Sequence, residues 1–419
     1  MAVLSKKNSS PYRWIVLLFL FAAFTLQFST YLSWNPFIPM AHDLFGFTAS
    51  QSAMVVAAVA CGRMMFQIPG GIVVDMFSAK RLLAVSMAVL AACTALVGVS
   101  GTYAGILAGQ FCIGMAGVVV MPLCIKVVIE YFPPKETDIV SGVLNSAASV
   151  AVIVTNILVP FAAVNWQWNS AFYIMAAGCA IVGLLICTCL HLPAQQAAAH
   201  KKFELRQFTD LLKDKRFRLA LAAHAGAIYT TWGINSWLAM YLSKSAGLDT
   251  PTVSQMMLVF GLCGCISMAS AGLFTRGSFR KRCVFLFGIF ITTLIMLLVL
   301  PLIKNEAVLW VYTAVLGIAA FAHFGPLNIF VSNLVESRVF ATAMAVSIFI
   351  WQIASIMQSL LIGRILDFVP GDAAYHLMFA IIGMGSVSSC LAIGRALHQG
   401  RKIRHVYYSY VRRAKGQGE

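Results

Sequence analysis

The chain has 419 residues, of which 60% are hydrophobic and only 11% are charged. An ordinary soluble domain is about a quarter charged and cannot hide so much apolar surface in one globule, so we expect a lipid bilayer as solvent and exclude a soluble enzyme. The net charge of +16 also suits a nucleic-acid-binding protein. However, the basic residues lie between apolar runs, as membrane topology requires, so we expect no nucleic-acid partner.

Twelve apolar runs follow one another along the chain, and each is long enough for a helix across the hydrocarbon core, which takes about 20 residues. Only helices and closed barrels satisfy the backbone in lipid, and these runs are too long for barrel strands, so we predict an all-α membrane protein. The predicted spans cover residues 14–39, 50–74, 82–100, 103–130, 138–164, 170–191, 219–243, 252–274, 283–303, 307–334, 340–367 and 374–397.

The longest polar stretch divides these runs into two sets of six. We therefore predict an N-terminal six-helix bundle over 1–191, a cytoplasmic linker over 192–218, a C-terminal six-helix bundle over 219–397 and a basic tail over 398–419. Apolar residues at helical spacing in the linker predict a short amphipathic helix on the membrane surface. A solvated linker with scattered apolar residues is the alternative.

Positive charge predicts the orientation of the spans. If the N-terminus, the even-numbered loops and the tail face the cytoplasm, they hold 25 Lys and Arg residues, whereas the opposite side holds three. Cytoplasmic loops carry such an excess, so both termini are predicted to be cytoplasmic. The short loops and compact length suit a bacterial inner (plasma) membrane.

The two sets of six also resemble each other in sequence. Four residues of the first set recur 201 positions later in equivalent loops and helices, which predicts duplicated six-helix units. The matched pairs are Gly46 with Gly247, Gly71 with Gly272, Lys80 with Lys281 and Arg81 with Arg282.

The loop after the second span resembles the loop signature of the major facilitator superfamily. That signature has a glycine, an aspartate four residues on and then a basic cluster, here Gly71, Asp75, Lys80 and Arg81. The resemblance implies two pseudo-symmetric six-helix bundles, and it implies that these four residues belong to a cytoplasmic gate that closes in one of two alternating states.

This copy of the signature departs from the pattern at two positions, because Met76 replaces the usual arginine and Ser78 the usual glycine. The loop signature is therefore matched only in part. A further stretch, Tyr131-Phe-Pro-Pro-Lys-Glu136, is similar to loops of the branches that carry organic and inorganic anions.

Arg63 is the charged residue deepest in a predicted span. It lies about 18 Å from either end of span 2, too far for its side chain to reach the surface. Gln67, four residues on, shares its helical face. One interpretation is a structural pair with a polar neighbour, and the other is a cation that grips an anionic solute through a bidentate fork.

Acidic residues are confined to loops, tails and helix ends. A pathway with a central arginine and no deep carboxylate favours an anion as cargo. Lys126 lies about 6 Å inside span 4 and either pairs with Glu130, one turn on, or contacts substrate, with Glu130 then a candidate coupling residue. His323 lies in span 10 before Gly325-Pro326, where a histidine could carry coupling protons or be a neutral structural group.

In the superfamily that the signature resembles, spans 1, 4, 7 and 10 line the central pathway. By that resemblance four further residues are substrate-binding candidates, in addition to Arg63, Gln67, Lys126 and His323. They are Tyr31, which shares a face of span 1 with Gln27, and Trp232, Asn235 and Asn328.

These observations predict a secondary active transporter that moves a small organic or inorganic anion by alternating access, with proton-coupled import. The alternatives are an exporter, a carrier of a neutral solute or metal chelate, and a transport-inactive membrane sensor of a solute. No catalytic constellation, phosphate-binding loop or metal-ligand spacing occurs in the sequence, so we expect no enzyme activity, cofactor or metal. We expect a monomer in the bilayer.

Overall fold

A computed structural model describes residues 12–190, 213–275, 278–334 and 340–415. Within these ranges it leaves undescribed the side chains of residues 68, 75, 129, 130, 134, 135, 137–139, 273, 332, 333, 340–345 and 399–415. The amphipathic helix of the linker lies outside the described residues, as do the side chains of Asp75, Glu130 and almost all of the tail. Those hypotheses remain predictions.

The described chain is built from fifteen α-helices joined by short turns. The first eight are α1 (Tyr12–Leu32), α2 (Ile38–Phe45), α3 (Ala49–Met76), α4 (Ala79–Ser100), α5 (Tyr103–Gly117), α6 (Val120–Tyr131), α7 (Pro134–Asn165) and α8 (Ser170–Cys189). The other seven are α9 (Lys215–Lys244), α10 (Thr250–Phe274), α11 (Phe279–Val299), α12 (Glu306–Phe321), α13 (Phe324–Leu334), α14 (Phe340–Phe368) and α15 (Ala373–Lys415).

Eleven segments of the described chain are long and apolar enough to cross a membrane, and α9 is a further long helix. The prediction of an all-α, multi-pass membrane protein is therefore confirmed. The division into an N-terminal bundle, a linker and a C-terminal bundle remains a prediction.

Three of the predicted spans are broken in the structure. Span 1 is interrupted after Leu32 by a short 3-10 helix, Asn35–Phe37, that precedes α2, and spans 4 and 10 are each split into two α-helices. Span 4 is split into α5 and α6 at Val118–Val119, and span 10 is split into α12 and α13 at Ala322–His323. In both cases a proline, Pro122 or Pro326, is the third residue of the second helix. Proline has no N–H to donate and is best accommodated in the first turn of a helix, which is where both of these prolines lie. Pro69 and Pro160 stay inside α3 and α7, so a proline alone does not break a helix here.

The chain forms two compact units, which share the sequence unequally. The first unit contains Met1–Lys201, Ser236–Gly261 and Ser359–Asp367, and the second contains Lys202–Asn235, Leu262–Gln358 and Phe368–Glu419. The ends of α9 and α14 and the start of α10 thus pack with the first unit.

Glycines bring helices of the first unit into backbone contact. A Cβ atom at Gly62 of α3 would overlap the carbonyl oxygen of Phe111 in α5, and one at Gly114 of α5 would overlap the carbonyl oxygen of Val59 in α3. Small residues allow such close approach of helices in membranes, where packing replaces the hydrophobic effect. The α3–α5 pair is therefore fixed at its closest distance around Arg63, whose backbone nitrogen would lie 2.9 Å from a Cβ at Gly114.

The second unit uses the same device between α9 and α15. A Cβ at Gly226 or at Gly385 would overlap the carbonyl oxygen of the other residue. Next to this contact lies an apolar core that includes Phe217, Phe290 and Phe330, all buried. These contacts fix α9, α11, α13 and α15 around one interior.

The sequence repeat has a structural counterpart in the turns. Gly46 ends α2 with φ of +66°, and Gly247 follows α9 with φ of +72°. Non-glycine residues rarely adopt this left-handed conformation, so both turns require glycine. The 201-residue offset therefore matches equivalent turns in the two halves of the sequence.

Candidate functional site

Helix α3 holds the central arginine because its start is firmly capped. The Thr48 side chain accepts a hydrogen bond from the Gln51 backbone N–H, and the Gln51 side chain accepts one from the Thr48 backbone N–H. This capping box fixes the first turn, and α3 then runs to Met76. Arg63 stands midway, about 20 Å from each end.

The Arg63 side chain is half-buried. Among the residues that the structure describes, no carboxylate oxygen lies within 4.0 Å of its guanidinium, and its Nε atom is buried without a hydrogen-bond partner. The guanidinium carbon lies 5.4 Å from the centre of the Tyr31 ring in α1. A cation–π contact supports the charge only weakly, so Arg63 retains most of its capacity to bind an anion.

Amide groups with unused hydrogen-bonding atoms accompany Arg63. The Oε1 atoms of Gln67 in α3 and of Gln27 in α1 are both buried and have no hydrogen-bond partner in the part of the chain that the structure describes. Gln27 packs on Gly117 of α5, one turn beyond the Gly114 contact. A Cβ at Gly117 would lie 2.8 Å from the Nε2 atom of Gln27. Buried polar atoms are nearly always satisfied, so these acceptors indicate a place for a ligand or water. The structure thus brings Arg63 and Tyr31 into contact, with Gln67 on the helical face of Arg63.

Lys126 lies in α6 and is half-buried. Its Nζ atom donates a hydrogen bond of 3.1 Å to the backbone carbonyl oxygen of Val74, near the end of α3. Carbonyl groups in the last turn of a helix have no helical partner, so a lysine stabilises them. This contact favours a structural role for Lys126. The Glu130 side chain lies outside the described residues, so the pairing of Lys126 with Glu130 remains a prediction.

His323 of the second unit occupies the turn between α12 and α13. It is 1% exposed and stacks on Phe324 with 4.6 Å between ring centres, and Phe290 lies 5.4 Å away. Among the described residues its Nε2 atom has no hydrogen-bond partner. A buried imidazole without a partner at Nε2 is available for a proton or a ligand.

The remaining second-unit candidates differ in their surroundings. Asn235 is 2% exposed, and its Oδ1 atom is buried without a partner. Trp232 is half-buried and Asn328 is exposed. Of these three side chains, Asn235 has the environment expected of a ligand-binding group.

Sequence reasoning missed Gln352 in α14. Its side chain is fully buried, and neither Oε1 nor Nε2 has a hydrogen-bond partner among the residues described. The signal that could have found it is an amide inside an apolar run. Gln358, six residues on in the same helix, instead donates a hydrogen bond of 3.5 Å to the Tyr229 carbonyl oxygen. A second buried group, His224, is satisfied by Ser347 at 2.7 Å.

The predicted cytoplasmic gate is only partly described. Gly71 is exposed in α3, and Lys80 and Arg81 lie in the first turn of α4, half-buried and exposed respectively. The Asp75 side chain lies outside the described residues. The gate therefore remains a prediction.

The opposite end of the first unit is closed by contacts that the sequence did not reveal. Lys244 donates to both carboxylate oxygens of Asp43, at 2.6 and 2.8 Å. The Asp367 carboxylate accepts the backbone N–H groups of Ala49 and Ser50 at the start of α3, at 2.8 and 2.9 Å. We call Asp43, Lys244 and Asp367 the latch. The carboxylate of Asp367 also matches the positive end of the α3 dipole.

Close helix packing accompanies the latch. A Cβ at Gly363 in α14 would lie 2.6 Å from the Cβ of Ala53 in α3. Nearby, the rings of Phe37, Phe45 and Trp168 pack against one another in tilted and edge-to-face contacts, with 4.9 Å between the Phe45 and Trp168 ring centres. This end of the first unit is therefore packed with aromatic rings and joined by charge-assisted contacts.

Comparison with known proteins places this fold. The family model described as the Major Facilitator Superfamily matches residues 17–359 of this chain. The hexuronate transporter of Bacillus subtilis (strain 168) is 23% identical over 279 residues, which cover 64% of this chain and 65% of that protein. The hexuronate transporter of Escherichia coli (strain K12) is 23% identical over 252 residues, covering 54% of this chain and 57% of that protein. The chain thus spans less than two thirds of the length of these curated relatives.

A solved structure shows the same architecture. A bacterial homologue of the human lysosomal transporter Spinster, in an inward-facing and occupied conformation, aligns with a TM-score of 0.70 at 15% identity. The alignment covers 95% of this chain and 98% of that one, and at this identity it speaks for the fold alone. The superfamily match, which extends over most of the chain, confirms the resemblance inferred from the loop signature. The chain belongs to the Major Facilitator Superfamily.

Proposed function

We propose that this protein transports a small sugar acid, or a chemically similar carboxylate, across a bacterial inner membrane by alternating access. The observation that carries the proposal is Arg63, a central arginine with no acidic partner among the described residues. A charge at the bilayer centre is costly, so an unpaired arginine there calls for an anion that arrives and leaves. The names of the two relatives, both hexuronate transporters, agree with this cargo class.

The neighbours of Arg63 suit the rest of such a solute. A guanidinium binds a carboxylate through two parallel hydrogen bonds, which fixes the plane and position of that group. The free amide oxygens of Gln27 and Gln67 can accept hydrogen bonds from hydroxyl groups. A polyhydroxylated carboxylate satisfies both kinds of atom, since its hydroxyl groups lie on carbons beyond the carboxylate, whereas the few O–H groups of inorganic phosphate lie on the same phosphorus atom as the oxygens that the arginine binds.

Exchange by the purified protein in liposomes tests this function. Vesicles preloaded with D-galacturonate are expected to accumulate labelled D-galacturonate or D-glucuronate by counterflow. D-galactose and D-glucose have the hydroxyl groups without the carboxylate and are not expected to exchange. Exchange of the neutral sugars alone, or of a metal chelate alone, would contradict the proposal.

We further propose that His323 carries the coupling proton for import, with both termini in the cytoplasm. Its buried Nε2 atom without a partner supports this role. His323→Gln keeps a polar nitrogen near that position but cannot titrate in the physiological range. We expect the variant to lose accumulation driven by an imposed proton gradient while it retains sugar-acid counterflow.

His224 offers a matched control, because it is a second buried histidine in the same unit but already has a partner in Ser347. His224→Asn preserves a polar atom near the Nδ1 position and should remain coupled. If gradient-driven accumulation persists in His323→Gln, or disappears in both variants, His323 is not the coupling residue.

Alternating access requires the latch to open during each cycle. Asp367→Asn keeps the size of the side chain but removes the charge that stabilises the start of α3, and loss of a helix cap costs about 0.5–2 kcal/mol. We therefore expect this end to open more often. A cysteine introduced by Ser52→Cys, at a position that is 1% exposed in the closed arrangement, should then react faster with a membrane-impermeant maleimide.

Mass spectrometry of the peptide carrying residue 52 separates this reaction from that of the native cysteines. Asp372→Asn is the control, since Asp372 forms an exposed ion pair with Lys304 in the second unit. Equal labelling rates in the Asp367→Asn and Asp372→Asn backgrounds would show that the latch does not hold this end closed.

A further inference from the structure

The second unit has an open apolar groove between α11 and α15. Phe287, Ile291 and Leu294 line it from α11, and Val387, Leu391 and Gly394 line it from α15. Its volume is about 490 Å³. Arg395 and His398 close one end, and both are exposed.

Glycine leaves the groove open. A Cβ at Gly394 would lie 3.7 Å from the Phe287 ring, an ordinary van der Waals distance. Because glycine has no Cβ, this space between the two helices stays empty. The α4–α8 pair in the first unit, taken by itself, shows the opposite arrangement. There a Cβ at Gly98 would lie 2.9 Å from the Tyr173 ring, and one at Gly183 would lie 3.0 Å from Met87. At Gly98 and Gly183 a partner side chain fills the space, as Leu294 of α11 does at Gly383 of α15, where a Cβ would lie 2.8 Å from it. At Gly394 the space stays open.

The walls of the groove face the lipid. Leu391 is 58% exposed and Val387 is 40% exposed, on helices that cross the bilayer. Apolar side chains exposed at this depth contact acyl chains. The occupant of the groove is therefore expected to be a hydrocarbon chain.

The length of the groove matches one leaflet. From Val387 to His398 the α15 backbone rises about 16 Å, at 1.5 Å per residue. Half of the hydrocarbon core of a bilayer is about 15 Å. An acyl chain lying beside Val387 would thus place its headgroup at the level of His398.

The headgroup end of the groove is positively charged. Besides Arg395 and His398, the first turn of α11 contributes Arg280 and Lys281, both exposed. Because α11 and α15 are antiparallel, the start of α11 and the end of α15 lie side by side. All four basic residues are therefore at the same end of the groove. Among the described residues no carboxylate lies within 4.0 Å of any of the four. Basic pockets between transmembrane helices on the cytoplasmic side are sites for anionic headgroups.

We propose that this groove binds one anionic phospholipid. An acyl chain lies between α11 and α15, and the phosphate group contacts Arg395 and His398. The site is distinct from the transport pathway and does not depend on the cargo. By the orientation proposed above it belongs to the cytoplasmic leaflet.

Native mass spectrometry of the detergent-purified protein tests this site directly. The protein is mixed with equal amounts of phosphatidylglycerol and phosphatidylcholine of identical acyl chains. We expect one phosphatidylglycerol to be retained in preference to phosphatidylcholine by roughly tenfold, and the Arg395→Gln/His398→Gln double variant to lose this preference. Arg364→Gln removes an exposed arginine elsewhere, at the far end of α14, and should keep the preference.

Groove filling provides a second, independent variant. Gly394→Phe has room for its Cβ and should occupy the space of the acyl chain, so retention of phosphatidylglycerol should fall. Gly142→Phe, at an exposed glycine with no atom within 4 Å of a Cβ, is the control. Equal retention of the two lipids, unchanged preference in both groove variants, a detergent adduct alone, or a dimer without lipid would each overturn the proposal.

Discussion

Arg63→Gln is expected to abolish sugar-acid exchange while the protein remains folded. Removing one member of a buried charged pair costs about 2–5 kcal/mol of binding free energy, or about thirtyfold or more in affinity. Arg63→Lys keeps the charge but loses the two-pronged geometry, so its affinity should be intermediate. The measurement is counterflow of labelled D-galacturonate into liposomes as a function of concentration.

Arg364→Gln is the matched control, since it removes an exposed arginine from the same unit. It should exchange like the wild type. Undiminished exchange by Arg63→Gln would contradict the anion site at once. Loss of exchange in both variants would indicate a general effect of positive charge rather than a binding contact at Arg63.

Gly114→Leu is expected to prevent folding. Even a Cβ at this position overlaps the Val59 carbonyl oxygen, so α3 and α5 must separate. Overpacking lowers the free energy of unfolding by about 1–3 kcal/mol where neighbouring side chains can shift, and by more where the obstacle is a backbone atom. A typical free energy of unfolding is only about 5–15 kcal/mol, so this loss is a large fraction of it. Thermal unfolding in detergent, monitored by size-exclusion chromatography, gives the result.

A milder change at the same position links this packing to the site. Gly114→Ala should lower the midpoint of thermal unfolding and weaken sugar-acid affinity together, because it moves the α3 backbone beside Arg63. Gly142→Leu, at an open glycine, should change neither property. If Gly114→Ala unfolds and binds like the wild type, the close α3–α5 contact does not position the arginine.

The sequence predicted those features that depend on one helix at a time. Runs of about 20 apolar residues predict membrane helices because each helix satisfies its own backbone in lipid. The position of Arg63 in its span followed from counting residues. By contrast, the breaks before Pro122 and Pro326 lie in continuous apolar sequence, where periodicity gives no boundary.

Features formed by distant residues could not be predicted. Asp367 contacts residues that are more than 300 positions earlier in the chain, and no local pattern of charge connects them. Gln352 is similar, because only its neighbours in space determine whether a buried amide has a partner. The four-residue repeat at 201 positions did predict equivalent turns, because glycines at positive φ leave a local trace.

The central claim is that Arg63 binds the carboxylate of the cargo, and thermal stabilisation of the purified protein tests it most directly. A ligand at about 100 times its dissociation constant adds about 2.7 kcal/mol to the stability of the folded state. We predict that D-galacturonate stabilises the wild type, that D-galactose does not, and that neither stabilises Arg63→Gln. Equal stabilisation of the wild type and Arg63→Gln by D-galacturonate, or stabilisation of the wild type by neutral or cationic compounds alone, would contradict the account.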